Sequence, residues 1–426
     1  MKSIDYRKII TEICRIILGV TFIFSGTAKA IDPVGGAIKM EDYFGAFGMS
    51  FLNPISLFAS INLSAFEFLL GVCILMAVYR KLTTICMLVF MSFMTLLTLY
   101  LAIFNPVHDC GCFGEAFILT NWETFLKNAV ILQPAAIITF IYYKKMTPVY
   151  SHKVYWFVVL FGYLFAVGFS YYNYYHLPVM DFRPYKVGAN IPELMSFPEN
   201  APQDEYQFIY EKEGRKEAFT PETAPAGDPD WKFVEAKLIK PGYIPPVTSF
   251  ELYDANEDNI AEEILADEKG VFLLISPKLE KASDKHIDEI NNIYDYSVEH
   301  QLKFYCATSS TKEEIDAWIN NTGAEYPFLT ADDVTLKTII RANPGLVVLK
   351  AGTILDKWSH NDIPSEETAD AVINGILNPS GEKKDKEMSL WISIICSFAL
   401  PLLLVWIYDY FRNRRSKKYV LNIKEK

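Results

Sequence analysis

The chain has 426 residues, 51% of them hydrophobic, and a formal net charge of -11, a length that leaves room for two or three domains at about 100–200 residues each. The charge is unevenly spread. Residues 176–387 hold 21 Lys and Arg against 40 Asp and Glu, so an acidic, soluble middle stands between basic, apolar ends. Seven scattered cysteines exclude a disulfide-scaffold protein, while an acidic outer portion without a phosphate-cradling glycine loop or nucleophile elbow excludes the nucleic-acid-binding, kinase and hydrolase classes.

Six stretches approach the roughly 20 apolar residues that a bilayer crossing requires. The first, residues 9–28, holds Glu12 and Arg15 and lacks a small-residue cleavage site, which predicts a retained helix rather than a signal peptide. Lys29 and Asp32 follow at its outer end. The second, residues 57–79, carries Glu67 near its middle; an intramembrane charge is costly and demands a partner. Arg15 is the leading candidate, as a structural ion pair in preference to a proton relay, whereas Glu12 lies close enough to the end to snorkel. Residues 82–104 form the third span. Residues 129–143 form the fourth, the weakest because of Gln133 and Pro134, with 121–128 as a partly interfacial extension.

Between the third and fourth spans stands His108-Asp109-Cys110-Gly111-Cys112-Phe113-Gly114. Two thiols one residue apart can close a disulfide only through a tight turn, which Gly111 permits, and so small a ring is strained and easily reduced, the property of labile, catalytic disulfides. Lys29, on the same side of the membrane, favours thiolate if the fold brings it near. Two other readings stand beside this one: His108, Asp109 and the two cysteines as metal ligands, although donors so close in sequence do not easily surround one ion, and a plain interfacial turn with small buried thiols. Cys14, Cys73, Cys86 and Cys396 fall in apolar runs and read as inert.

The fifth span, residues 154–175, ends on Tyr171, Tyr172, Tyr174 and Tyr175, aromatics suited to a membrane interface. Next comes a Pro- and charge-rich segment in which Tyr206 to Tyr210 alternates like a strand before a turn at Glu213-Gly214, with a further strand at Trp231 to Val234. From residue 247 short apolar runs alternate with amphipathic ones: strands at 271–275, 303–307, 345–350 and 354–358, helices at 281–300, 312–321, 332–341 and 365–377. That order predicts βα units around a mostly parallel sheet. The sixth span is residues 390–411. Lys2, Arg7 and Lys8, Arg80-Lys81, Lys144-Lys145 with Lys153, and the basic residues from Arg412 onward all fall on one side of a six-span chain, which the positive-inside rule makes cytoplasmic. Both termini are therefore expected in the cytoplasm of a bacterium, with the Cys-Gly-Cys loop and residues 177–388 in the periplasm, where disulfides form.

Arg15 to Gly19, Phe22, Phe24-Ser25-Gly26, Lys29, Asp32-Pro33 and Tyr43, with Glu67, Gly71 and the Asp109 to Gly114 run, resemble the DoxX/MauE group of four-helix membrane proteins, on its MauE side. The resemblance implies a thiol-disulfide role in maturing envelope proteins. The later βα order, with a proline before its last hairpin that is cis in the family, resembles a thioredoxin-like domain. That family's Cys-x-x-Cys position is occupied here by residues 276–283, which contain no cysteine, and Cys306 lies in a core strand; without thiolates the domain is a recognition module. The expected fold class is thus a multi-pass α-helical membrane protein, a four-helix DoxX/MauE-like bundle plus two further helices, with a periplasmic α/β thioredoxin-like domain. Its parts are a membrane domain (1–145), a fifth span (146–176), a linker with a hairpin (177–246), the thioredoxin-like domain (247–378), a sixth span (389–411) and a basic tail (412–426). The expected activity is thiol-disulfide exchange by Cys110 and Cys112, supported by His108, Asp109, Lys29, Arg15 and Glu67, with no resident metal. Membrane lipid and an envelope client are the partners, nucleic acid is not, and a quinone among the helices is a candidate electron carrier. The alternative is a non-enzymatic envelope scaffold whose outer domain only binds; a respiratory role lacks a haem-ligand array.

Overall fold

The computed structural model describes residues 5–107, 109–378 and 386–424, with only the backbone described at 386–388 and 414–424. His108 lies outside the described residues. The chain forms two compact units, one of Met1–Arg183, Trp358–Ile363 and Pro379–Lys426, the other of Pro184–Lys357 and Pro364–Asn378.

The first unit is helical and holds six helices long and apolar enough to cross a membrane among the described residues. They are α1 (Tyr6–Ile31), α3 (Ser56–Leu75), α4 (Arg80–Phe104), α5 (Asn121–Ile141), α6 (Tyr155–Tyr175) and the C-terminal helix Lys386–Lys424. α3 stops four residues before the sequence expectation, because Ala77 and Tyr79 take positive φ and turn the chain into α4. α5 absorbs the expected interfacial extension into one continuous helix: Thr120 and Glu123 close a capping box at its start, and a π-helical stretch at Lys127–Leu132 accommodates Pro134 just beyond it. π-turns of this kind often mark functional positions.

α1 and α3 run antiparallel at close range because glycines face each other. A Cβ on Gly26 would strike the backbone of Phe68 and Ser64, and one on Gly71 the backbone of Ile23, the close approach that small residues give membrane helices. Leu18, Phe22, Ile74, Met87, Met91 and Ala136 fill the interior of this bundle. A second apolar cluster joins α3 to α6 and the C-terminal helix, with Phe68, Phe165 and Phe398 in mutual ring contact.

One helix has no counterpart among the expected elements. α2 (Pro33–Ala46) starts on Asp32, whose carboxylate accepts from the Gly35 N–H at 2.8 Å, with Pro33 in the first turn, the usual N-terminal arrangement.

The second unit contains two sheets. β1 (Glu205–Lys212), β2 (Arg215–Phe219) and β3 (Lys232–Lys240) form an antiparallel sheet in the order β2-β1-β3, turning at Glu213 and Gly214, both with positive φ. The larger sheet has the order β6-β5-β4-β7-β8. β4 (Val271–Ser276) pairs in parallel with β5 (Lys303–Thr308) and antiparallel with β7 (Gly345–Lys350). β6 (Phe328–Thr330), absent from the expected strands, adds to the β5 edge, and β8 (Thr353–Ser359) follows β7 through Ala351 and Gly352. A βα unit joined to an antiparallel hairpin after the cis Asn343-Pro344 bond is the thioredoxin-like arrangement. The expected helix at 281–300 is shorter, Ile287–Glu299, because residues 279–281 form a separate 3-10 turn after β4.

Candidate functional site

The Cys-Gly-Cys loop is held on three sides. Asn105, left-handed at the end of α4, turns the chain off the helix. Asn121, at the start of α5, donates its amide to Asn105 Oδ1 at 2.8 Å and to the Val107 carbonyl at 3.0 Å. α2 then closes over the loop: Lys39 Nζ pairs with Asp109 Oδ2 at 2.9 Å, and the Tyr43 hydroxyl donates to the Cys110 carbonyl at 3.0 Å. The other Asp109 oxygen accepts the Gly111 N–H at 2.8 Å. Gly111 sits at φ +64° with the Lys39 stem against it, so a Cβ there would be both strained and crowded.

This turn brings Cys110 Sγ and Cys112 Sγ to 3.1 Å, as two free thiols. Cys110 is 6% exposed and Cys112 more open. Their environments push them apart. The hydrogen bond from Cys110 is the largest influence on Cys112 and, outweighing its desolvation with help from the Lys127 and Lys29 cations, lowers its pKa to about 7. Cys110, as donor in that bond and desolvated besides, is raised far above the usual thiol range. The pair therefore gives up one proton near neutrality and holds the second tightly, as interacting groups do.

Beneath the loop lies a buried charge cluster. Lys29 Nζ lies 2.7 Å from each Glu67 oxygen, with Glu67 only 2% exposed. The Ser25 hydroxyl lies 2.6 Å from the Cys112 carbonyl and 2.7 Å from Glu67 Oε2; it has one proton, so it serves one acceptor at a time. Lys127, from the π-helical stretch, sits 4.1 Å over the Phe113 ring, a cation–π contact, and Phe113 packs edge-on to Phe24.

The expected partnership of Arg15 with Glu67 does not form. Arg15 Nε pairs with Glu12 Oε2 at 2.9 Å and its Nη1 donates to the Thr147 carbonyl at 2.8 Å, at the other end of α1. At about 1.5 Å per helical residue, Arg15 lies about 21 Å along the axis from Lys29. The antiparallel register set by Gly26 and Gly71 puts Glu67 level with Lys29 instead. Arg15 is thus remote from the thiols, whereas Lys29, Glu67, Asp109, Cys110 and Cys112 converge on one cavity. Lys39 and Tyr43 line the same cavity, and Ser25 and Lys127 line a smaller one behind Cys112; in the sequence the Asp32-Pro33 cap signal is the clue that a helix carrying Lys39 and Tyr43 follows. Among the described residues, no three His, Cys, Asp or Glu side chains gather as a metal site would require. In the second unit, Cys306 is fully buried and its thiol pushed well up by desolvation. Residues after β4 are tied by Asn343, which takes part in a 2.7 Å bond with Ser276 Oγ and donates to the Lys278 carbonyl at 2.9 Å.

Residues 7–141 match the family described as methylamine utilisation protein MauE. Residues 204–240, the small antiparallel sheet, match a domain of unknown function. A solution structure described as a candidate protein disulfide isomerase from Bacteroides thetaiotaomicron is similar at 17% identity, covering 30% of this chain and 85% of that one, with a TM-score of 0.25. No curated protein matches the chain.

Proposed function

We propose that this membrane protein is a thiol-disulfide exchange factor for envelope protein maturation, acting through Cys110 and Cys112 at the periplasmic face of a bacterial cytoplasmic membrane, with the outer domain holding the client. The observation that carries the reading is the 3.1 Å approach of two thiols of which one favours thiolate near pH 7. The MauE match over residues 7–141 supports the maturation role. A disulfide between residues one apart is strained and hence a good oxidant, so the pair donates its disulfide to clients. A client thiolate attacks the more accessible Cys112 sulfur, forming a mixed disulfide while Cys110 leaves and takes a proton; a second client thiolate attacks the client sulfur and expels Cys112, whose low pKa makes it a good leaving group. The client ends oxidised and the protein as the dithiol.

Mass-tag alkylation in living cells tests this. A fraction of the pair is expected to be oxidised, and Cys110→Ser is expected to accumulate a client disulfide-linked to Cys112. A pair always fully reduced, with no trapped client, sinks the proposal and leaves the second reading, a binding-only envelope scaffold, which the cysteine-free 276–283 segment favours.

A further inference from the structure

Between α2, α3, α4 and the Cys-Gly-Cys loop lies a cavity of about 330 Å³, within the range of roughly 300–1,000 Å³ typical of small-molecule sites. Its walls are apolar and partly aromatic, including Phe44, Leu63, Met94 and Leu97. Phe47 and Phe93 line it and are also exposed on the surface of the bundle, at 39% and 62%, so the cavity opens among apolar side chains on the outside of the helices. Its polar end holds Cys110 and Cys112 together with the ion pairs Lys29–Glu67 and Lys39–Asp109. Such a chamber admits a lipid-soluble molecule from the bilayer and presents its head to a cation and two thiols.

We infer that this cavity is the binding site for a membrane quinone that re-oxidises the Cys110–Cys112 dithiol. The inference rests on the exchange reading, since each disulfide given to a client leaves the dithiol and requires a two-electron oxidant. An acyl chain would fit the walls but has no use for the polar end. A quinone uses both: its flat ring packs against aromatic faces, and the negative charge that grows on its oxygen as it takes electrons is stabilised by preplaced cations, here Lys29 and Lys39, each shared with the carboxylate it already pairs with, Glu67 and Asp109. The balance is closed. Two S–H bonds break, one S–S bond forms, and the quinone accepts the electron pair and both protons to become the quinol.

The test uses full-length dithiol protein in nanodiscs, mixed without oxygen with either a short-tailed ubiquinone or a water-soluble aromatic disulfide, while quinone absorbance and the alkylation of Cys110 and Cys112 are followed. One quinone reduced per pair is expected. Leu63→Trp and Phe44→Trp, which fill the cavity away from the thiols, are each expected to slow the quinone reaction by at least about tenfold while leaving the reaction with the soluble disulfide essentially unchanged. Oxidation by the soluble disulfide but not by quinone, or quinone rates untouched in both filled variants, overturns the quinone site and leaves the exchange reading standing. Thiols inert to both oxidants overturn the exchange reading, and the quinone site with it.

Discussion

Cys112 and Cys110 are chemically alike in isolation and made different by what surrounds them. Only the thiolate is nucleophilic, and with Cys112 at about pH 7 against roughly 8.5 for a free cysteine, its alkylation rate is expected to climb through pH 7 and level off above it, while Cys110 stays protonated over the same range. Site-resolved mass spectrometry of iodoacetamide labelling between pH 5 and 9, on the order of one measurement per half unit, checks the midpoint. Lys127→Gln removes the strongest cationic influence on Cys112, and the midpoint should rise. Lys29 and Glu67 act on stability as well. Lys29→Met strands a buried carboxylate and is expected to cost about 3–5 kcal/mol in detergent unfolding, whereas Lys29→Met with Glu67→Gln recovers most of that loss without recovering the low Cys112 pKa. The thiols were legible because they adjoin in the chain, and Glu67 because a charge inside a span stands out. Their partners were hidden: Glu67 and Lys29 are 38 residues apart, and Lys39 and Asp109 70 apart, so only the helix register identifies them.

Helices carry this register, and glycine sets it. Gly26 and Gly71 leave no room for a Cβ between α1 and α3, while Gly168 on α6 has open space around it. Gly26→Ala is therefore expected to destabilise the bundle by at least about 1–3 kcal/mol through overpacking, and to raise the reactivity of Cys112 toward alkylation as Ser25 shifts beneath it. Gly168→Ala should be neutral or slightly stabilising, since alanine is the better helix former. Thermal unfolding of both variants in the same detergent is the measurement, and equal losses would mean that the α1–α3 contact is not tight. The six long helices were plain from hydropathy because membrane spans need long apolar runs. α2 was not, being 14 residues long and mixed in character; it is recognised by its Asp32-Pro33 start rather than by its apolar content. β6 escaped for a similar reason, as three residues cannot show a period.

At the scale of the whole chain the separation of charge governs how it is oriented. Each hydrophobic span can sit either way in a bilayer, and what biases it is the Lys and Arg near its ends. Arg80 opens α4 directly after the turn from α3, Lys144 and Lys145 lie between α5 and α6, and Arg412 near the end of the last span, so with six spans these all share one side with the N-terminus. Arg80 and Lys145 are also committed to neighbours there, Arg80 to the Met146 carbonyl at 2.9 Å and Lys145 to Asp5 at 2.6 Å. Residues 184–357, between the fifth and sixth spans, belong to the acidic unit, and the same rule predicts them on the opposite side, as it does the Cys-Gly-Cys loop between α4 and α5. A cysteine introduced at Lys153 should therefore resist a membrane-impermeant maleimide in intact spheroplasts and react after permeabilisation, whereas one introduced at Asn200 or Glu222 should react at once. Replacing Arg80, Lys81, Lys144 and Lys145 together with neutral residues weakens the bias at two loops and is expected to yield a mixed population, with a fraction of Asn200 now protected. Equal labelling of both positions in the unaltered background would place the basic loops outside and remove the thiols from the compartment where a donated disulfide persists.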